Sequence, residues 1–207
     1  MSSAAPERPA FSILFVCTGN ICRSPSAELL ARHVVDGALP AEQAERVRVA
    51  SAGTLGWTDS PIEPLAAVAL KSYGVDPSGF RGAELTASLV READLILGAE
   101  REHRAMAVTM APAAAARSFT LRQFARLCTA VRPETLPTGD VAVRGRALVA
   151  AAAAQRGLIA AVAPEDDDIP DPFGAKQPAF TTCLSDIAEC LRRPLALLTG
   201  TEEATTS

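Results

Sequence analysis

A chain of 207 residues, 48% hydrophobic and 21% charged, has the balance of a globular protein and enough length for one domain with an ample core. Its formal net charge of −4 excludes a broad basic face, so no nucleic-acid partner is expected, although one local arginine can still dominate a small phosphate site. Two histidines are too few for a His-built metal centre, and the Ala-rich runs are broken by Arg144, Arg146 and Pro112, well short of the ~18 apolar residues of a membrane span.

Residues 1–10 are polar, contain proline and lack a signal-peptide core; they read as a solvated tail, and the expected location is cytoplasmic. Phe11–Val16, broken only by Ser12, suits a buried strand. Ser24-Pro25 then pairs a helix N-cap with a proline at the first helical position, and the spacing of Leu29, Leu30 and His33 to Val35 predicts a helix over 26–35. Val47–Ala50 reads as a second strand ending at Ser51-Ala52-Gly53. Pro61 opens a further helix that closes before Gly74. Thr86 caps a short helix leading into the strand Asp94–Leu97, followed by helix 99–110, strand 117–119 and helix 121–130. Gln177–Leu198 is the last helix, which Pro194 is expected to kink or end, and 200–207 reads as a tail.

Strands alternating with helices predict an α/β domain with a parallel sheet, a single unit over 11–199. Residues 133–165 interrupt the rhythm as an insertion. Pro133, Pro137 and Gly139 punctuate its start, an Ala-rich helix fills 141–156, and the acidic run Glu165–Asp168 closes it. The favoured reading is a surface segment of marginal helix plus solvated loop; the other is a lid or docking arm over the active site.

The chemistry concentrates where the first strand meets the first helix, in Cys17-Thr18-Gly19-Asn20-Ile21-Cys22-Arg23-Ser24-Pro25. A tight loop at a helix N-terminus turns several backbone N–H groups inward, and the helix dipole adds positive potential. Gly19 and Asn20 can take the left-handed backbone that curls such a loop around an anion. Arg23 adds a two-pronged, permanently charged clamp, and the same field favours a thiolate at Cys17. The nucleophile, the cradle and the clamp thus come from one short segment. The other cysteines (Cys22, Cys128, Cys183, Cys190) are too few and too unevenly placed for a disulfide framework.

Thiolate attack on a phosphomonoester needs a departing group, and phenolate, with a parent pKa of ~10, leaves more readily when protonated. Asp168-Ile169-Pro170-Asp171-Pro172-Phe173-Gly174 offers the acid. Asp171 lies between two prolines that stiffen its backbone, and Phe173 is placed to pack on an aromatic substrate. The alternative is an acidic turn without catalytic role; pairing with the Cys–Arg loop favours catalysis, with Asp168 as the next candidate acid.

CTGNICRSP, the SAGT at 51–54 and the DPF at 171–173 resemble the low-molecular-weight protein tyrosine phosphatases, over most of 11–198 except roughly 133–165. The resemblance implies a three-layer α/β fold with a four-stranded parallel sheet flanked by helices and a phosphate-binding loop after the first strand. It implies Cys17 as nucleophile through a phosphocysteine intermediate, Arg23 as transition-state clamp and Asp171 as general acid, then base. Thr18, Gly19, Asn20, Ile21, Cys22 and Ser24 would form the phosphate site. Ser24 and Ser51 would help Asn20 hold the loop, and Ser24 would also hydrogen-bond the sulfur. Cys17 and Cys22 would form a reversible disulfide, giving redox regulation. Trp57 reads equally as the aromatic wall of the cleft or as a half-buried loop residue. No cofactor and no metal are implied, and the partner would be a phosphotyrosine-containing protein or another aryl phosphate.

The chain departs from the pattern at Phe80, which stands where relatives often carry a histidine supporting the loop asparagine, and at Gly174, which removes a second aromatic after DPF. Two other activities share the fold. Thioredoxin-coupled arsenate reductases need extra redox cysteines near the loop, whereas here the third strand runs into Gly98-Ala99-Glu100, and Cys183 and Cys190 lie in the final helix. Relatives acting on phosphoarginine carry a threonine at the position of Ile21, whereas isoleucine is usual in those acting on phosphotyrosine.

Overall fold

The alternation of side chains along the first strand organises the whole molecule. In β1 (Phe11–Cys17), Phe11, Ile13 and Phe15 pack into one core, and Leu14 and Val16 pack into another on the opposite sheet face. Both faces are apolar because both are covered, as an all-parallel sheet requires. The computed structural model describes residues 10–201; most of the two predicted tails, 1–9 and 202–207, lies outside them.

β2 (Val47–Gly53), β3 (Leu95–Gly98) and β4 (Ser118–Thr120) complete a four-stranded parallel sheet in the order β2-β1-β3-β4. The larger core lies under α1 (Arg23–Ala38), α3 (Pro64–Lys71), α6 (Leu121–Cys128) and α8 (Gln177–Thr199). The smaller one lies under α4 (Ala87–Glu92) and α5 (Arg101–Met110), with Val90 and Ala107 fully buried. A single turn, α2 (Ala41–Ala44), links α1 to β2. Thr86 and Thr120 cap α4 and α6 by accepting from Leu89 N–H and Gln123 N–H.

Four expectations need correction. Ser24 does not cap α1 and Pro25 is not its first helical residue: Cys22 is the N-cap, without a side-chain hydrogen bond, and the helix begins at Arg23. Pro61 does not open α3: Glu63 does, its carboxylate accepting from Leu65 and Ala66 N–H with Pro64 at the first helical position. On α1 the buried face is Ala27, Leu30, Ala31 and Val35, while His33 and Val34 are exposed. Pro194 does not end α8, which continues to Thr199 and closes at Gly200 in the left-handed conformation (φ 74°). Pro194 is itself buried, so packing of this stretch outweighs the lost hydrogen bond.

The Ala-rich helix is also not a marginal surface element. α7 (Val141–Ala154) buries Val141, Ala142, Leu148, Val149 and Ala152 in the larger core, and Asp140 caps it through Ala142 and Val143 N–H. Its arginines, which break the apolar pattern in sequence, pin it in place. Arg144 donates to the carbonyls of Leu197 and Pro137; Arg146 donates to Ala10 O and pairs with Asp94. In the acidic run beyond it Glu165 and Asp166 are exposed, whereas the half-buried Asp167 pairs with Arg126 and Asp168 with Arg101.

Gly145 is where α7 touches β1. A Cβ there would lie 2.7 Å from the Phe11 ring, which is itself only 1% exposed. Gly→Ala inside a helix ordinarily stabilises by about 0.5–1 kcal/mol, whereas overpacking a core costs about 1–3 kcal/mol. Gly145→Ala is therefore expected to lower the unfolding midpoint in urea, and a rise would show that α7 is loosely seated.

Candidate active site

β1 ends at Cys17, and the loop to α1 is shaped by where its carbonyls are used. Cys17 O accepts from Thr54 N–H at 2.9 Å, Thr18 O from Leu55 N–H at 2.9 Å, Gly19 O from Trp57 N–H at 3.2 Å and Ile21 O from Glu63 N–H at 2.9 Å. These carbonyls face outward. The N–H groups of Thr18, Gly19, Asn20, Ile21 and Cys22 meet no acceptor among the described residues. Buried amides are almost always paired, and those of the buried Asn20, Ile21 and Cys22 are left open to an anion. α1 behind it has no side-chain cap at Cys22, which leaves its positive end to a ligand.

Close backbone approach makes the clamp possible. A Cβ on Gly53 would stand 2.6 Å from Thr18 O, on Gly56 2.5 Å from Glu84 Cα, and on Gly82 2.5 Å from Trp57 O. Within the loop, Asn20 takes the left-handed conformation (φ 55°), as expected; Gly19 is not among the positive-φ glycines.

Asn20 is fully buried and saturated. Its Nδ2 donates to Ser24 Oγ at 2.8 Å and to Ser51 Oγ at 2.7 Å, and its Oδ1 accepts from Ala83 N–H at 2.8 Å. Ser24 Oγ, which accepts from Asn20, also lies 2.9 Å from the Cys17 sulfur. Ser51 directs its proton to Glu28 Oε2 at 2.7 Å. Burial, opposed by the Ser51 hydroxyl and the Arg32 guanidinium, holds the Glu28 carboxyl above the usual range. Phe80 packs into the core, so Ala83 and the Ser51–Glu28 pair serve the loop without a histidine at 80. Glu28 lies one helical turn beyond Ser24 on α1, and that spacing is the only mark it carries in the sequence.

Arg23 is 2% exposed and anchored on several sides. Nη1 donates to a carboxylate oxygen of Glu100 and to Ile169 O at 2.9 Å; Nη2 reaches Asp171 Oδ2 at 2.6 Å and, more weakly, Thr18 Oγ1 at 3.4 Å. Burial opposes its charge, but Asp171 and Glu100 outweigh burial and raise its pKa further. Sequence reasoning misses both Glu100 and its neighbour His103; the available signal is an acidic residue just past the end of a strand beside the loop.

Asp171 sits 2.6 Å from the clamp because its loop is tied down upstream. Ile169 is fully buried, donates its N–H to Ala99 O at 2.8 Å and lends its carbonyl to Arg23. Asp171 Oδ1 also accepts from Phe173 N–H at 3.2 Å. Asp168 is turned away, accepting from Arg101 N–H at 2.8 Å at the start of α5. A cavity of about 110 Å³ opens over the loop, lined by Cys17, Thr18, Gly19, Ile21, Cys22, Arg23, Leu55, Trp57, Asp171 and Phe173. Trp57 and Phe173 are 47% and 55% exposed, yet meet edge to face at 5.5 Å between centroids, and Leu55 is more exposed still. An apolar rim thus surrounds a polar floor, the shape expected for an aryl phosphate.

Cys22 is buried, and burial raises its pKa well above that of an ordinary thiol, with Asp171, Glu63 and Cys17 adding to the shift. Burial likewise pushes Cys183 up to about 12 and Cys190 up to about 11; both lie on α8 and neither lines the cavity. Among the described residues no group of three or more His, Cys, Asp or Glu side chains is arranged to hold a metal ion. No helix there is long and apolar enough to cross a membrane.

Residues 12–132 match the family model described as low molecular weight phosphotyrosine protein phosphatase. The chain is 44% identical over 101 residues to the low molecular weight protein-tyrosine-phosphatase Etp of Escherichia coli K12, covering 49% of this chain and 62% of that protein. It is 35% identical over 114 residues to the protein-arginine-phosphatase of Geobacillus stearothermophilus, 55% of this chain and 71% of that one. The chain thus spans less than two thirds of the length of Etp. In structure it is similar to the YwlE arginine phosphatase from Geobacillus stearothermophilus, with TM-score 0.62, 25% identity and coverage of 89% and 90%. It shares the fold of the tyrosine phosphatase Wzb from Escherichia coli K30 in complex with sulphate, with TM-score 0.60, 23% identity and coverage of 88% and 94%.

Proposed function

The chain belongs to the low molecular weight phosphotyrosine protein phosphatase family, and on that premise we propose that it hydrolyses phosphotyrosine through a phosphocysteine intermediate at Cys17. The observation that carries this reading is the run of loop amides without an acceptor from Thr18 to Cys22, next to a Cys17 sulfur 2.9 Å from Ser24 Oγ, with Arg23 bonded to the same loop. Cys17 Sγ attacks phosphorus, the P–O bond to the aryl oxygen breaks, and Asp171 delivers its proton to that oxygen. A water then attacks the phosphocysteine, the S–P bond breaks, and the Asp171 carboxylate takes up a proton. The loop amides and Arg23 stabilise the charge spread over the equatorial oxygens in both steps.

The substrate class follows from the rim. Ile21, 8% exposed, lines the cavity together with Trp57 and Phe173, and this apolar wall suits an aromatic ring better than a guanidinium or a short hydroxyalkyl group. Hydrolysis of matched phosphopeptides tests it. We expect kcat/KM for phosphotyrosine to exceed those for phosphoserine, phosphothreonine and phosphoarginine by at least ~10-fold. Phosphoarginine is the second reading, favoured by the similarity to arginine phosphatases of the same fold. Faster turnover of phosphoarginine would establish it in place of the first. Arsenate reduction is not favoured, since neither Cys183 nor Cys190 on α8 lines the cavity.

Redox control belongs to the same proposal, as does action in the reducing cytosol, where a site built on a free thiol stays active and where all five cysteines, free here, suit the environment. Peroxide oxidises the Cys17 thiolate to a sulfenic acid, and the Cys22 thiol condenses with it to a disulfide, releasing water. Cys22, held protonated by burial, does not compete as the first target. After a peroxide pulse, dithiothreitol should restore most activity in the wild type and clearly less in Cys22→Ser. Equal recovery in the two proteins would remove the protective role.

A further inference from the structure

Thr18 and His103 form a pair that the mechanism above does not use. His103, one of two histidines in the chain, is 3% exposed on the first turn of α5. It reaches the loop because α5 starts tightly against the end of β3, where a Cβ on Gly98 would stand 2.8 Å from Arg104 N and 3.1 Å from His103 Cβ. Its Nδ1 receives the Glu100 backbone N–H at 3.0 Å. A backbone amide can only donate, so Nδ1 carries no proton, and the neutral ring holds its proton on Nε2. Nε2 lies 3.0 Å from Thr18 Oγ1 and donates to it.

Thr18 Oγ1 thus receives two donors, His103 Nε2 and, more weakly, Arg23 Nη2 at 3.4 Å. With its lone pairs engaged, the hydroxyl proton must point away from both. No acceptor for it exists among the described residues, and Thr18 lines the cavity over Cys17. Resting on the phosphatase reading, we propose that His103 is a positioning residue that orients the Thr18 hydroxyl as a side-chain donor to a phosphoryl oxygen, supplementing the backbone cradle. The ring is kept neutral by burial first and then by the Arg23 charge, against the smaller opposite pull of Glu100, Asp171 and Glu102.

Two substitutions of His103 separate positioning from structure. In His103→Asn the side-chain amide reaches only the Nδ1 position, so the helix cap survives and the donor to Thr18 is lost. In His103→Gln the amide reaches the Nε2 position, so the donor survives and the cap is lost. Hydrogen bonds to charged groups set the scale: Thr18→Val and His103→Asn should each lower kcat/KM for p-nitrophenyl phosphate by about 10- to 100-fold. The His103→Asn/Thr18→Val double variant should match Thr18→Val within about 2-fold, since the two residues act in series. His103→Gln should keep near-wild-type kcat/KM while losing thermal stability, and His103→Asn the reverse.

The proposal is overturned if activity simply tracks stability across the two His103 variants, or if the losses multiply in the double variant. Inorganic phosphate affinity, measured on the same proteins, should follow the same order. That arm keeps the inference separate from the activity: a wild type that binds phosphate without hydrolysing aryl phosphates would sink the functional reading alone. Absence of phosphate binding would sink both. Nitrogen-15 spectra of the wild-type imidazole should show the neutral Nε2–H form at pH 7; an Nδ1–H or doubly protonated ring overturns the assignment even if no variant folds.

Discussion

Cys17→Ser is expected to lower aryl phosphate turnover by at least ~10⁴-fold while leaving inorganic phosphate or vanadate binding largely intact. The split follows from the construction of the site. Binding rests on the amides of Thr18 to Cys22 and on the Arg23 guanidinium, none of which the substitution touches. Turnover rests on one sulfur, and a serine hydroxyl at the same place stays protonated and is a far weaker nucleophile. Steady-state rates and a phosphate titration on the same preparation check the prediction. Residual activity within about 10-fold of wild type would move the nucleophile elsewhere.

Asp171→Asn is expected to slow phenyl phosphate by about 10²- to 10⁴-fold, the usual worth of general-acid help, and p-nitrophenyl phosphate much less. A good leaving group departs with little proton assistance, so the difference between the two substrates isolates proton transfer. The geometry makes the assignment sharp. Without substrate the Asp171 carboxylate lies against Arg23 Nη2 at 2.6 Å, and a phosphate that takes the guanidinium fork releases the carboxylate above it, toward the leaving oxygen. Fold stability should change little, because the Asp171 side chain is 41% exposed and Arg23 keeps Glu100 and Ile169 as partners. An equal loss on both substrates would mean that Asp171 only holds Arg23 in place. Asp168 would then be a poor substitute, since it is committed to the start of α5.

Much of the fold is legible in the sequence because its signals are local. An apolar stretch broken only by Ser12, a threonine cap at 86 and a glycine after α3 each act over a few residues. Local signals mislead where packing outweighs local preference. Pro194 lies inside a helix because its surroundings are buried. α7 looks marginal by composition, but Gly145 lets it lie on Phe11, and three arginines fasten it: Arg144, Arg146 and Arg156, the last stacked over Phe119 at 3.9 Å.

The sequence by itself determined the proposed chemistry of the loop from Cys17 to Arg23, because the proposed nucleophile, cradle and clamp are contiguous at a strand–helix junction. It also marked Asp171, through the two prolines that stiffen its backbone. Only the tertiary structure decided how those groups are held. β1 lies between β2 and β3 in a parallel sheet, so the carboxyl ends of all three strands open beside Cys17. That arrangement delivers the Thr54–Trp57 amides to the loop carbonyls, Ser51 to Asn20, and Glu100 and His103 to Arg23 and Thr18. Ile169 meets Arg23 across 146 positions of sequence. Strand order and register are set by burial summed over both sheet faces, not by any short pattern, and so His103 and the Ile169 carbonyl carried no mark as partners of the loop until the fold brought them there.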